Sequence, residues 1–390
     1  MSRVGEVMEP APVDTPTAGL GDAKCGHAAP SVENQIGAHR PSVALVVASL
    51  DILGGQGIQA RELAGNLRAE GMDVVFVPIN PRFPRGLRWL RRYPYLRTVA
   101  NTLFYLPTLG RLSRADVVHV FSASYLSFLL GPAPALVAAK ILGKRTILNY
   151  HSGEAGDHLA HWGVLVHPWL RRVDEIVVPS AYLREVFGRF GYQARVIHNV
   201  VDLSRFRFRE RTELGPRLLS MRNLEAHYRI DVVIRAFALV KRQHPDASLV
   251  VAGYGSEEKR LRRLVESLGT EGVRFVGRYA PEDAPQLYAD ADVFLNASDV
   301  DNQPVSLLEA FASGLPVIST PTGDIGAMLE AGAAGVIVRR GDPVAMAGAV
   351  EELLANPMRA LELSRRARDG LHRFTWPQVR NGWAEVYGRA

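Results

Sequence analysis

Residues 299–320, DVDNQPVSLLEAFASGLPVIST, hold two carboxylates, Asp301 and Glu309, on either side of Asn302, Gln303, Pro304 and Val305. Carboxylates accept hydrogen bonds from sugar hydroxyls, and unpaired backbone N–H groups at a helix start attract phosphate. Together these groups suit a nucleotide sugar, with amides for the diphosphate and carboxylates for the hydroxyls. The same residues also fit an exposed loop leading into a helix with one solvated glutamate. The choice therefore rests on the elements around them.

Pro304 suits the first position of a helix, because its φ is fixed near the helical value and its missing N–H has no intrahelical partner there. The pattern predicts a helix over 304–313, closed by Gly314, and a short buried strand in PVIST. Upstream, ADVFLNAS at 291–298 reads as another strand, so the stretch is a βαβ unit. In such units the loop after the first strand faces the crevice at the carboxyl ends of the strands. Glu309 then lies one turn from Val305 on a common face, with Asp301 on the loop before the helix.

The unit sits in a longer alternation. SVALVVASL at 42–50 predicts a buried strand, followed by a glycine loop at Gly54, Gly55 and Gly57, a helix of about 14 residues ending near Gly71, and a second strand. Such a loop permits close approach of a ligand to backbone, although its spacing is not G-x-G-x-x-G and a plain tight turn also fits. Further strands are predicted at 115–122, 145–153, 175–180 and 194–202, and the pattern restarts at 217–223, 247–255, 273–279, 291–298, 316–320 and 335–341. The fold class expected is α/β: two doubly wound Rossmann-like domains, residues 41–203 and 204–373, facing a cleft, where ligands favour binding. Residues 1–40 are rich in Pro, Gly and Ala without apolar periodicity and are expected to be a disordered tail.

Composition narrows the classes. Of 390 residues 47% are hydrophobic, enough for two cores, and the net charge of +6 is dispersed without a nucleic-acid recognition motif. The one cysteine, Cys25, excludes an intrachain disulfide and favours a cytoplasmic setting. No apolar run long enough to span a bilayer and no secretory signal is read.

Several motifs resemble those of retaining GT-B glycosyltransferases of the family 4 type. They are VAGYGSEEKRL with Gly253 and Gly255, VRFVGRYAPEDAPQLYADAD, the Asp301/Glu309 pair before EA and SGLPV, GGQGIQARELAGNLRAEGMDV and VIHNVVDLSRF. RFTWPQVRNGWAEVY resembles a helix that in this fold returns to the first domain, from about 374 to 390. The resemblance covers about 43–388 and implies transfer of a sugar from a nucleoside diphosphate sugar to a hydroxyl acceptor with retention, in glycan or glycolipid biosynthesis, with no cofactor and no metal.

By that resemblance Glu309 holds ribose hydroxyls, Asp301 faces the transferred sugar, and amides from Asn302 to Val305 sit beside the phosphates. Arg222 neutralises the leaving diphosphate and His151 lies near the transferred sugar; Gly55, Gly253 and Gly255 complete the donor site. The resemblance also implies that no protein nucleophile is needed, so that positioning and charge stabilisation carry catalysis. Two departures stand out. The first acid is Asp where Glu is commoner, and Tyr228 and Arg229 stand where Lys–Gly is expected. Arg229 is a candidate second phosphate cation, an exposed arginine at a helix start being the alternative.

His151, His158, His161 and His167 lack acidic or cysteine partners at metal-site spacing, so helix packing or acceptor contact is preferred. Residues 82–114 hold eight arginines, no acid, and Trp89, Tyr93, Tyr95, Phe104 and Tyr105. This fits a surface for anionic lipid, hence a lipid-linked acceptor and a place at the inner face of a membrane, or else a solvated helix pair packing its aromatics inward. Two other readings stay open: a sugar-nucleotide epimerase or hydrolase on the same fold, and a catalytically silent nucleotide-sugar-binding protein.

Overall fold

The computed structural model describes residues 40–49, 55–122 and 124–388. Cys25, the expected tail through residue 39, and Gly54 lie outside them. Val/Ile/Leu runs too apolar to face water on either side form two parallel sheets covered by helices. The first contains β1 Val43–Val47, β2 Val74–Pro78, β3 Val117–Ser122, β4 Arg145–Tyr150, β5 Glu175–Val178 and β6 Arg195–Val196, in the order β2-β1-β3-β4-β5-β6. The second contains β7 Arg217–Met221, β8 Ser248–Ala252, β9 Val273–Gly277, β10 Val293–Asn296, β11 Val317–Ser319 and β12 Val336–Ile337, in the order β12-β11-β10-β7-β8-β9.

Each order reverses once, and the reversal fixes where a crevice can open. In the first sheet it falls between β1 and β3, which pair with Val43 opposite Val117. In the second it falls between β7 and β10, with Leu218 opposite Val293. The carboxyl ends of β1, β3 and β4 therefore lie at one end of the first sheet, and those of β7 and β10 at one end of the second.

Three local expectations change. Gly55 and Gly57 belong to the helix Gly55–Ala69 rather than to a loop. Pro304, at φ −70° and ψ 125°, is the extended residue before the helix Val305–Ala312, since its ring restrains φ but leaves ψ free. Of the strand expected at 194–202 only β6 is ladder. Beyond it the Asn199 amide donates to Gln303 Oε1 at 2.8 Å and the Val200 amide to Gln59 Oε1 at 2.7 Å, so side chains replace a neighbouring strand.

The segment 204–216 is held down by charge. Asp292, 1% exposed, receives Arg217 at 2.6 and 2.9 Å and Arg209 at 2.9 Å. Phe374 packs with the second domain's core, whereas Val379, Trp383, Val386 and Tyr387 of the helix Trp376–Gly388 pack with Val43, Leu45, Val117 and Ile147 of the first. Trp383 stacks on the buried His119 at 5.1 Å, and Tyr387 Oη lies 2.7 Å from His119 Nδ1. Burial pushes the His119 pKa down to about 3, so the ring enters this aromatic stack uncharged. Trp383→Ala should cost about 3 kcal/mol, seen as a lower urea midpoint, because it leaves a cavity where the returning helix meets β1 and β3.

Candidate active site

The ends of β7 and β10 supply the charged centre. Arg222, the first residue after β7, forms an ion pair with Asp301 on the loop after β10; both are about a tenth exposed, at 10% and 9%. The Arg222 guanidinium also donates to Ser306 Oγ at 3.2 Å and lies 4.2 Å from the centre of the Tyr228 ring. Asp301 Oδ1 accepts from the Asn302 amide at 2.9 Å. The first-turn amides of Val305 and Ser306 have no carbonyl one turn back, so phosphate can satisfy them.

Glu309, one turn into the helix, is 6% exposed and turned away from bulk water. It lines a cavity of about 80 Å³ with Arg222, Gly253, Tyr254, Tyr279 and Ser306. Tyr288 donates to Glu309 Oε2 at 2.7 Å. A larger cavity of about 420 Å³ lies alongside, with Arg222, Tyr228, Asp301 and the 302–305 segment on one wall and Gly55, Gln56, Ser124, Tyr125, Ser127, His151 and Glu154 of the first domain on the other.

A wider groove of about 870 Å³ runs between His167 and Arg195 at the amino ends of β5 and β6. Several of its polar groups are already paired: Arg195 bonds Glu175 at 3.1 Å, Asp174 accepts from the neighbouring Lys140 at 2.7 Å and His167 pairs with Tyr192 at 2.7 Å. A doubly wound sheet binds ligands at the opposite, carboxyl end, so the cleft rather than this groove is the candidate site.

Asn302 and Gln303 line the larger cavity, but their side chains mainly tie the domains together. Asn302 Oδ1 accepts from Ser180 at 2.5 Å, and its amide donates to the His151 carbonyl at 3.4 Å. Gln303 donates to the Pro179 carbonyl at 2.8 Å while its backbone carbonyl accepts from Asn199 Nδ2 at 2.8 Å. The loop passes so tightly that a Cβ on Gly153 would come within 2.6 Å of the Asp301 carbonyl carbon, and one on Gly323 within 2.8 Å of Asn302 Cα.

His151 stacks on Phe121 at 5.4 Å, and burial pushes its pKa down to about 4. At neutral pH it is a hydrogen-bonding group without charge, and its shielded Nε2 has no partner among the described residues. Beside it Tyr125 has φ 55° and ψ −135°, a conformation that costs a tyrosine ~1–3 kcal/mol and recurs at functional sites. It is held by its hydroxyl on Asp157 at 2.7 Å and by edge contact with His158 at 5.2 Å.

The candidate donor residues do not all converge. Arg222, Asp301, Asn302, Gln303, Pro304, Val305, Glu309, Gly55 and Gly253 line one or both cavities; Gly255 and Arg229 line neither. Gly255 allows close packing instead, since a Cβ there would lie 2.5 Å from the Leu224 carbonyl carbon. Arg229 donates to Asp299 at 2.7 Å and Asp231 at 3.1 Å, so its charge is spent on those carboxylates. Its φ of 49° is the left-handed value that explains the glycine expected there. Tyr228 is what the cleft receives instead. Sequence reasoning gave no role to Tyr228, Tyr288, Tyr125 or Glu154; motif signals touched only Tyr288, the tyrosine of YADAD, and Tyr228, at the position where a lysine is expected.

The histidine cluster disperses: His158 is buried against Tyr150 Oη at 2.8 Å, and His161 pairs with Asp157 at 2.9 Å. Among the described residues no group of three or more His, Cys, Asp or Glu is placed to hold a metal ion.

Burial raises the Glu309 pKa to about 7, against the opposing hydrogen bond from Tyr288. The folded chain then binds a proton that the unfolded chain releases near the ordinary carboxylate value, so this group's contribution to stability is full below that value and is lost as pH rises through about 7. The loss amounts to roughly 3 kcal/mol. Glu309→Gln should remove it: relative to the native chain, the variant should gain several degrees in melting temperature between pH 5 and pH 8, and parallel melting curves at the two pH values would refute the assignment.

Residues 53–205 match the family Glycosyltransferase Family 4, and residues 204–370 match Glycosyl transferases group 1. Over 389 residues the chain is 28% identical to a glycogen synthase of Mycobacterium tuberculosis, covering 86% of this chain and 91% of that protein. It is 31% identical over 284 residues to the GDP-mannose-dependent alpha-(1-6)-phosphatidylinositol monomannoside mannosyltransferase of Mycolicibacterium smegmatis, covering 66% and 72%. Among solved structures, Anabaena HepE in complex with UDP-glucose superposes with a TM-score of 0.69 at 16% identity, over 90% of this chain and all of that one. Sucrose-phosphate synthase of Thermosynechococcus elongatus gives 0.67 at 19%, over 90% and 99%. With both halves matched in order and two parallel sheets of the same architecture, the chain belongs to the group 1, family 4 glycosyltransferases of the GT-B fold.

Proposed function

We propose that the protein transfers a sugar from a nucleoside diphosphate sugar to a hydroxyl acceptor, with retention of anomeric configuration and without a metal or prosthetic group. The observation that carries this reading is the buried Glu309 one helical turn behind the Arg222–Asp301 pair, both bordering the cavities at the start of helix Val305–Ala312. Glu309 accepts from ribose hydroxyls, and Arg222 with the Val305 and Ser306 amides receives the diphosphate. Once Arg222 turns to phosphate, Asp301 is released to accept from hydroxyls of the transferred sugar. His151, uncharged at neutral pH, donates or accepts one hydrogen bond across the cleft. The leaving phosphate oxygen takes the acceptor proton on the face where the sugar bond breaks. Support comes from relatives whose names specify GDP-mannose and from structures in complex with UDP and UDP-glucose.

Thermal melts with UDP-glucose and GDP-mannose should identify the donor through a raised melting temperature. Turnover should release nucleoside diphosphate and leave the sugar on a hydroxyl with its donor configuration, read from proton NMR coupling. An inverted product would overturn retention. An epimerised nucleotide sugar, or donor binding without turnover, would support the epimerase or the silent reading. Arg222→Ala should lower kcat/KM by about 10²–10³-fold, the usual scale for losing one oxyanion-stabilising donor.

For the acceptor, the surface around 85–108 favours a lipid-linked molecule and a cytoplasmic membrane face. Tyr95 is 89% exposed, Leu103 63%, Val99 57% and Trp89 53%, so these groups face outward, whereas Tyr105 is fully buried and Phe104 packs on Phe83 at 5.4 Å. No helix among the described residues is long and apolar enough to cross a membrane, so contact would be peripheral. Several relatives carry phosphatidylinositol or diacylglycerol in their names. The protein should float with vesicles containing anionic lipid at about 0.15 M salt, where screening still permits surface attraction. A combined Trp89→Ser, Tyr95→Ser, Leu103→Ser variant should stay in the pellet, and a native chain that does not float would refute membrane contact.

A further inference from the structure

The charges that line the larger cavity are few and unevenly placed. Its one arginine, Arg222, stands on the second-domain wall and is paired with Asp301. The first-domain wall carries no Lys or Arg among the described residues. What it does carry is Glu154, half-buried, whose carboxylate has no hydrogen-bond or salt-bridge partner among the described residues. Neighbouring carboxylates are occupied: Asp157 accepts from Tyr125 at 2.7 Å and Asp301 pairs with Arg222.

Around Glu154 stand neutral groups suited to hydroxyls. Ser127 and Ser152 line the same wall, Ser124 Oγ lies 3.1 Å from Tyr150 Oη, and Gln56 uses its Nε2 on the Ser122 carbonyl at 2.9 Å, leaving Oε1 free to accept. A free carboxylate among hydroxyl and amide groups binds vicinal hydroxyls by accepting from them, and it repels an anion that no nearby cation compensates.

We infer that the reacting end of the acceptor is an uncharged polyol, selected by Glu154, and that a phosphorylated polyol is rejected at this wall. The inference rests on the transferase reading above and narrows its acceptor to one chemical class. Glu154 acts as a specificity-determining residue, receiving acceptor hydroxyls across the cavity from the bond that breaks. The reaction preceding this one must then deliver a free hydroxyl compound, or one whose phosphate lies away from the reacting ring.

The test compares acceptor pairs that differ only by a phosphate, glycerol with glycerol 3-phosphate and myo-inositol with myo-inositol 1-phosphate, using the full chain. Two readouts are taken: kcat/KM with the donor that turns over, and calorimetric binding in the presence of saturating UDP or GDP. The neutral member should be preferred at least tenfold. Glu154→Lys should shrink or invert that ratio by at least tenfold, with Glu154→Gln in between; because the ratio is read, a general loss of activity cancels. A native chain that treats both members alike or favours the phosphorylated one, a ratio unmoved by either substitution, or no polyol binding beside the nucleotide, overturns the inference. Failure to cleave any nucleotide sugar would instead sink the transferase reading, while the calorimetric ratio still decides this one. Should Glu154→Lys not fold, the Glu154→Gln ratio decides.

Discussion

The structure depends on one loop that must be polar, buried and shared. Between β10 and helix Val305–Ala312 the chain runs between two sheets, where unpaired N–H and C=O groups would each cost about 1–3 kcal/mol. Asn302 and Gln303 meet that constraint by bonding Ser180, Pro179 and Asn199 of the first domain. The crossing segment 197–201 then has no need of a neighbouring strand. Gly153 and Gly323 leave the space the loop occupies. The contacts that hold the loop also set Asp301 and the helix start at the cleft, so positioning of the charged centre and attachment of the domains are a single arrangement.

Charge in the cleft is sparse, and where each arginine goes explains why. Arg209, Arg211 and Arg217 converge on Asp292, and Arg229 is neutralised by Asp299 and Asp231. Among the described arginines Arg222 alone reaches the cavities, lying against the ring of Tyr228. A guanidinium over an aromatic face keeps its charge while sharing its desolvation cost with the ring. Its pairing with Asp301 means that an incoming diphosphate exchanges one anionic partner for another and does not meet a bare buried cation.

The first domain holds its side of the site through aromatic stacking. From the returning helix, Trp383 stacks on His119, His119 on Phe121 at 4.8 Å, and Phe121 on His151. Burial keeps His119 and His151 uncharged, which lets them stack as rings. The helix Trp376–Gly388 is thereby connected to the histidine that faces the cavity, although His151 and Trp383 lie far apart in the chain.

Periodicity and punctuation made much of this legible. Apolar runs bounded by turn residues marked the strands, because a strand covered on both faces must be apolar along its length. The Asp301/Glu309 spacing around Pro304 marked the helix start, because capping and dipole rules act within a few residues. Beyond that range the sequence was silent or misleading: Arg229 looked free until Asp299, 70 residues on, came beside it. The run 194–202 looked like strand until Gln303 and Gln59 claimed its amides. Local pattern, then, determined the α/β alternation, the two-domain order and the residues able to handle phosphate and hydroxyls. Tertiary structure alone decided where each charge is spent, leaving the Arg222–Asp301 pair and the unpartnered Glu154 at the cavity and Arg229 outside it, because pairing depends on separations of a few ångströms between residues far apart in the chain.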